Sequence, residues 1–239
     1  MGIDEQEREQ AILDAATQLL LRHGYNKTTM SDVADAVGLH RGLVYLSFPS
    51  KDVLVEALIV HEMSTYAQAW SKHLEADPLG GTVASVHRSM LHALKPFPLM
   101  AAILTRDEEI FGKYLRKPDN LFTRLPSSLT LEFLQAMQEV GAVRQDVNVA
   151  AMAFILDTLT PAILETLASH LEAFRGNSSQ SNKPSFGVLM ETIAEMLECM
   201  LTPAEGANLA AGKAILLHGL DQAQARFTEA LDQQKNANT

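Results

Sequence analysis

The chain has 239 residues, 47% of them apolar and 20% charged, and a formal net charge of −10 at neutral pH. That length and apolar share support a buried core in one large or two modest domains and exclude intrinsic disorder. A single cysteine, Cys199, excludes an internal disulfide and a thiolate-only metal site, and the acidic balance excludes a general polyanion binder, which carries a basic face. Cys199 itself reads as a small buried hydrophobe.

Leu, Ala, Met, Glu and Gln are abundant and no stretch sustains a Val/Ile/Thr alternation, so the expected fold is all-α. The opening MGIDEQEREQ is too charged for a secretory signal. The most apolar run, MAFILDTLTPAIL, is short and broken by Asp157 and Pro161, so a soluble, cytoplasmic protein with no membrane partner is expected. A first helix spans about Asp4 to His23, with Ile12, Ala16, Leu19 and Leu20 on one face and Gly24 as its left-handed terminator. Thr29 caps a second helix, with Asp32 in the capping-box position; Val33, Ala34 and Val37 face inward and Gly38 ends it. A short third helix runs from Arg41 to about Phe48. Val44 and Phe48 turn inward at i, i+4, and Arg41, Gly42, Leu43, Tyr45 and Leu46 are left outside. Exposed Leu43, Tyr45 and Leu46 require a covering partner, and a DNA groove is one.

Pro49 breaks the backbone, Ser50 caps, and a long helix follows from Lys51 to about Leu74, ending before DPLGG, Asp77 to Gly81, a candidate hinge. Helical segments are expected at about 82–95, 98–116 and 119–140, then at 146–174 with Asp146 as cap. Arg175 to Pro184 is a polar loop without periodicity, and Ser185 opens an apolar helix, Phe186 to Leu201. Thr202, Pro203 and Glu205 read as the start of the last helix, with Leu209, Leu216, Leu220, Phe227 and Leu231 on one side and a fraying QQKNANT end.

Several of these positions carry a resemblance. Residues 11–62 resemble the N-terminal domain of the TetR (tetracycline repressor-like, TetR/AcrR) family: a helix ending in Gly24-Tyr25, then Thr28-Thr29, DVADAVGL, RGLVY, Phe48, and Lys51 opening the fourth helix. The rest of the chain resembles the family only in being an all-helical domain of suitable length. The resemblance implies a helix-turn-helix DNA-binding domain at 1–51 and an effector-binding and dimerisation domain at 52–239. It also implies a sequence-specific transcriptional regulator, a repressor released from a palindromic operator by a small-molecule effector. On this reading Arg41 pairs with guanine O6 and N7 or holds a phosphate, and Gly42 admits the backbone close to DNA or is simply a permissive residue in a tight first turn. Tyr45 gives its hydroxyl to a phosphate, and Thr29, Lys51 and the amides opening the fourth helix hold others. The chain departs from the family pattern at His40, where a Ser commonly caps, at Leu43, where a Thr or Ser often sits, and at Ser47, where a Tyr or His is usual. Leu43 and Leu46 offer only apolar contact, as to thymine methyls, so the operator does not carry over.

The resemblance further implies a two-fold dimer built on the two penultimate helices. Leu156, Leu159, Ile163 and Leu167 form one apolar stripe and Leu189, Ile193, Met196, Leu197 and Met200 another; core packing within one chain is the alternative use of both. Such a dimer sets its reading helices one or more DNA turns apart, about 34–36 Å per turn. Trp70, Met100, Leu104, Phe111, Phe133, Met137 and Phe154 are candidate lining for a largely apolar effector, each also suited to ordinary core. Arg106, Asp107, Glu108 and Glu109 form a charge cluster that also suits a solvated helix face. The histidines lack paired metal spacing, and neither a metal nor a cofactor is expected. No G-x-S-x-G, H-E-x-x-H, P-loop or glycine-rich dinucleotide fingerprint occurs, so an enzyme is not expected. The acidic balance of residues 1–51 keeps one alternative open, a helical interaction protein whose helix-turn-helix no longer binds DNA.

Overall fold

The computed structural model describes residues 4–78, 80–124, 130–175 and 186–237. Its helices are α1 (Glu5–Lys27), α2 (Met30–Val37), α3 (Arg41–Ser47), α4 (Lys51–Ala76), α5 (Val83–Leu94), α6 (Pro98–Thr105), α7 (Glu108–Phe111), α8 (Leu121–Arg124), α9 (Thr130–Glu139), α10 (Val149–Arg175), α11 (Phe186–Leu201) and α12 (Leu209–Ala237), with a 3₁₀ turn at Gly112–Arg116. No strand occurs among the described residues, so the fold is all-α.

The helices gather into two compact units. One comprises residues 1–64, 98–125 and 227–239, the other 65–97 and 126–226. In the first, Ile12, Leu20, Val33, Val44, Phe48, Leu54, Leu58, Leu99, Phe111 and Tyr114 are buried. Segment 98–125 thus belongs with the N-terminal helices, although α5 stands between them in sequence. The second unit has its own core, in which Val83 and Ala84 meet Leu134, Met137, Ala142, Val143, Met152, Ala153, Ala194, Leu197 and Leu201.

Local chemistry sets the helix ends. Gly24, at φ +70° and ψ 168°, stops the first run of α1, and one more helical turn carries Tyr25 into the core. At α2 the capping box between Thr29 and Asp32 forms in both directions. Gly38, at φ +67°, closes it in a Schellman ending in which the Leu39 amide reaches the Ala34 carbonyl at 3.0 Å. Seven residues are too few to hold α3 helical alone. Burial of Val44 and Phe48, about 1.5–3 kcal/mol each, offsets that weakness.

Several expectations change. The helix expected over 98–116 breaks because Asp107 caps a new start, its carboxylate accepting from the Glu109 and Ile110 amides, with Arg106 at φ +50° before it. The segment expected over 119–140 is helical only as α8 and α9 among the described residues. α10 is capped by Asn148, which accepts from the Ala151 amide; Asp146 instead forms a bidentate pair with Arg144. Residues 202–208 are not helical, and Asn208 rather than Thr202 caps α12, accepting from the Ala211 amide. α12 stays helical to Ala237 where fraying was expected. The DPLGG hinge is also set aside. Gly81 is buried within the second unit, where an added Cβ would meet the Leu209 carbonyl oxygen at 2.0 Å. Cys199 is exposed rather than buried, because it falls on the outer face of α11. The Arg175–Pro184 loop and Ser185 lie outside the described residues except for Arg175, the last residue of α10.

Candidate nucleic-acid interface

The helix-turn-helix is α2 and α3, with α1 packed against α2. Val44 is fully buried, while Arg41, Gly42, Leu43, Tyr45 and Leu46 are all exposed, Leu46 by 72%. This short helix therefore has one anchored face and one face with two leucines and a tyrosine turned to solvent. His40 performs the cap that a serine commonly supplies: its Nδ1 accepts from the Gly42 amide at 3.2 Å. An added Cβ at Gly42 would lie 3.3 Å from that nitrogen, so the glycine leaves room for the cap. Ser47 is half-buried and accepts from Arg8 Nε at 3.4 Å, at the rim rather than on the outer face.

Two expected phosphate ligands are otherwise engaged. Thr29 is exposed, but its hydroxyl donates to Asp32 Oδ2 at 2.8 Å, and Thr29 holds the Asp32 carboxyl below its ordinary pKa. The Lys51 ammonium turns inward, donating to the carbonyls of Tyr25 at 2.8 Å and Thr28 at 3.0 Å and lying 3.9 Å from the centre of the Tyr25 ring. Burial pulls its pKa down. These carbonyls close the end of α1, so Lys51 ties α1 to α4 and is not presented outward beside Arg41.

Around Tyr25 the structure brings together residues the sequence reading did not join. The Tyr25 hydroxyl donates to Asp52 Oδ1 at 2.5 Å, Lys117 donates to Asp52 Oδ2, and the Tyr25 and Tyr114 ring centres are 5.7 Å apart. Burial and then the Asp52 carboxylate raise the Tyr25 pKa. Burial also acts against ionised Asp52, yet hydrogen bonds from Lys117 and Tyr25 prevail and lower its pKa. The Lys117 ammonium is held above its ordinary value, chiefly by that bond to Asp52. Nearby, the Lys113 amide donates to Asn26 Oδ1 at 3.2 Å. An open cleft of about 510 Å³ borders this cluster, lined in part by Ser50, Asp52, Glu56, Lys117 and Asn120. No sequence motif spans residues so far apart.

Residues 12–58 match the family described as bacterial regulatory proteins, tetR family. A transcriptional repressor of Mycobacterium tuberculosis is 28% identical over 68% of this chain and 83% of its own length. The transcriptional regulator TtgR of Pseudomonas putida is 36% identical over 32% of this chain and 38% of its own. Among solved structures, the fatty acid degradation regulator FadR of Bacillus halodurans aligns with TM-score 0.57 at 18% identity, covering 82% of this chain and 96% of the other. Residues 12–58 thus carry a DNA-binding domain of the TetR family. It is a DNA-binding regulator and not an enzyme. Among the described residues no helix is long and apolar enough to cross a membrane.

The apolar stripes on α10 and α11 are in part exposed. Leu159 is 49% exposed, Met196 56% and Met200 46%; Ile163 and Leu189 are half-buried. Leu156 and Ile193 pack against the second core and Leu197 is part of it, while the side chain of Leu167 lies outside those described. Phe154, expected in a pocket, is 74% exposed beside this face, joined by Ile155 and Val188. The remaining effector candidates divide between the units. Met100, Leu104 and Phe111 fall in the first, Trp70, Phe133 and Met137 in the second. Phe111 and Met137 are fully buried core side chains, and Trp70 Nε1 donates to Ser89 Oγ at 2.9 Å. None of the seven lines the cleft described above. In the charge cluster Asp107 is a helix cap, and Arg106, Glu108 and Glu109 are exposed.

Proposed function

We propose that this regulator is a homodimeric repressor that leaves a palindromic operator when a small, largely apolar effector binds. The observation that carries the reading is the outward face of α3. Arg41, Leu43, Tyr45 and Leu46 are exposed on a helix whose opposite side is fixed by Val44, an arrangement suited to the major groove and costly on a surface left bare. Arg41 reads a base or holds a phosphate, Tyr45 holds a phosphate through its hydroxyl, and Leu43 and Leu46 meet apolar base edges. Residues 1–51 carry the reading function; residues 52–239 carry dimerisation and effector binding.

The exposed Leu159, Met196 and Met200, with Phe154, support a second copy of the chain as the partner that covers α10 and α11. Half-buried Trp70 and Phe133 in the second unit are the effector-facing side chains. Effector binding shifts the population toward states in which the two reading helices no longer match adjacent groove segments. DNA fragments retained from the source genome, followed by gel shift, test the assignment. Binding should weaken steeply with salt, and Arg41→Ala with Tyr45→Phe should abolish the specific shift. Retention of the same sites by that double variant would remove α3 as the reading element.

A further inference from the structure

We propose that Lys117 is a positioning residue for DNA binding, setting the reading head through Asp52 and Tyr25 without itself meeting DNA. Three distant parts of the first unit converge there. Tyr25 follows the Gly24 break in α1, Asp52 stands in the first turn of α4, and Lys117 follows the 3₁₀ turn at Gly112–Arg116. The end of α1 and the start of α4 are the segments from which α2 and α3 are suspended. A carboxylate between a tyrosine hydroxyl and a lysine ammonium fixes their separation through two charge-assisted hydrogen bonds.

The alternative, an ordinary surface ion pair, does not describe this geometry. Lys117 is 42% exposed and Asp52 36%, but the Asp52 oxygen opposite Lys117 belongs to a carboxylate also held by buried Tyr25. Tyr25 in turn lies under the Lys51 ammonium, which closes the end of α1. Lys113 adds a backbone tie to Asn26 from the same turn. A change at Lys117 therefore reaches the ends of α1 and α4 through polar contacts of fixed geometry, and a looser reading head lowers affinity by requiring more ordering on binding.

The test compares wild type, Lys117→Met, Lys117→Arg, Asp52→Asn and the Lys117→Met/Asp52→Asn pair. The probe is a labelled duplex selected by the wild-type protein from a random-sequence pool, and amide hydrogen exchange across α2 and α3 is measured without DNA. Lys117→Met should lower affinity by about five-fold and speed exchange in α2 and α3 while leaving the salt slope unchanged, because no phosphate contact is lost. Lys117→Arg should restore affinity, and the double variant should lose no more than Asp52→Asn alone. The proposal is overturned if Lys117→Met matches wild type in affinity or in exchange. It is also overturned if the two losses add, or if the salt slope falls by about one, which marks direct phosphate contact. Failure of the wild type to select any duplex would instead count against DNA binding, and the exchange measurement would still decide the positioning role.

Discussion

Gly24→Ala offers the sharpest check on how the first unit is assembled. Gly24 has φ +70° and ψ 168°, a region that L residues occupy at a cost of about 1–3 kcal/mol. An added Cβ there would lie 2.4 Å from the Glu109 carbonyl oxygen, a backbone atom that cannot rotate away, so α1 or α7 must shift at a further cost of about 1–3 kcal/mol. Together these predict a loss of about 4 kcal/mol, a large fraction of a domain's usual stability. Gly38→Ala is the control. Its φ is also positive, at +67°, but no atom lies within 4 Å of the added Cβ, so only the conformational cost of about 1 kcal/mol applies. Gains from a stiffer unfolded chain are common to both and cancel. Urea unfolding followed by far-ultraviolet circular dichroism should place Gly24→Ala about 3 kcal/mol below Gly38→Ala. Equal midpoints for the two variants would show that Glu109 is not seated against the end of α1, and the composition of the first unit would have to be redrawn.

Val44→Ala should cost about 2 kcal/mol in the same unfolding assay. Leu46→Ala, at a 72% exposed position, should stay within about 0.5 kcal/mol of wild type yet alter the sequence preference of selected duplexes. Leu159→Glu with Met196→Glu places charge on the exposed α10 and α11 face and should shift the protein from dimer to monomer by light scattering, weakening operator binding with it. For pH, Asp52 has a folded pKa below its unfolded value of about 3.9. Its contribution to stability is thus present above that value and lost as pH falls through the folded one. Asp52→Asn should flatten that part of the acid limb in denaturant midpoints. Lys117 acts in the opposite direction. Its contribution is present below about 10.4 and lost as pH rises through its raised folded pKa, an alkaline loss that Lys117→Met should remove.

The helix-turn-helix was legible because its signals are local. A capping box at Thr29 and Asp32, a glycine ending at Gly38 and an i, i+4 pair at Val44 and Phe48 each act within a few residues, and all three take the expected form. The second half of the chain was legible only as helix. Caps at Asp146 and Thr202 fit the local pattern equally well, but Arg144 captured Asp146, and Asn148 and Asn208 supplied the caps. Apolar side chains were harder still, because periodicity identifies a buried face without saying what buries it. Phe154 and Met137 carry similar sequence signals, yet one is 74% exposed and the other fully enclosed.

The sequence by itself determined an all-α chain, the limits of α2 and α3, and which face of α3 looks outward, since backbone capping and helical period depend on residues one or two turns apart. Only the tertiary structure decided that segment 98–125 packs with residues 1–64, that Lys51 serves the end of α1, and that Asp52 receives both Tyr25 and Lys117. Those hydrogen bonds join groups up to 65 positions apart, Asp52 to Lys117, and charge or hydrogen-bonding capacity in a sequence does not name its partner. A lysine at the start of a helix can meet a phosphate or two carbonyls with the same chemistry, and the packing of the neighbouring helix selects between them.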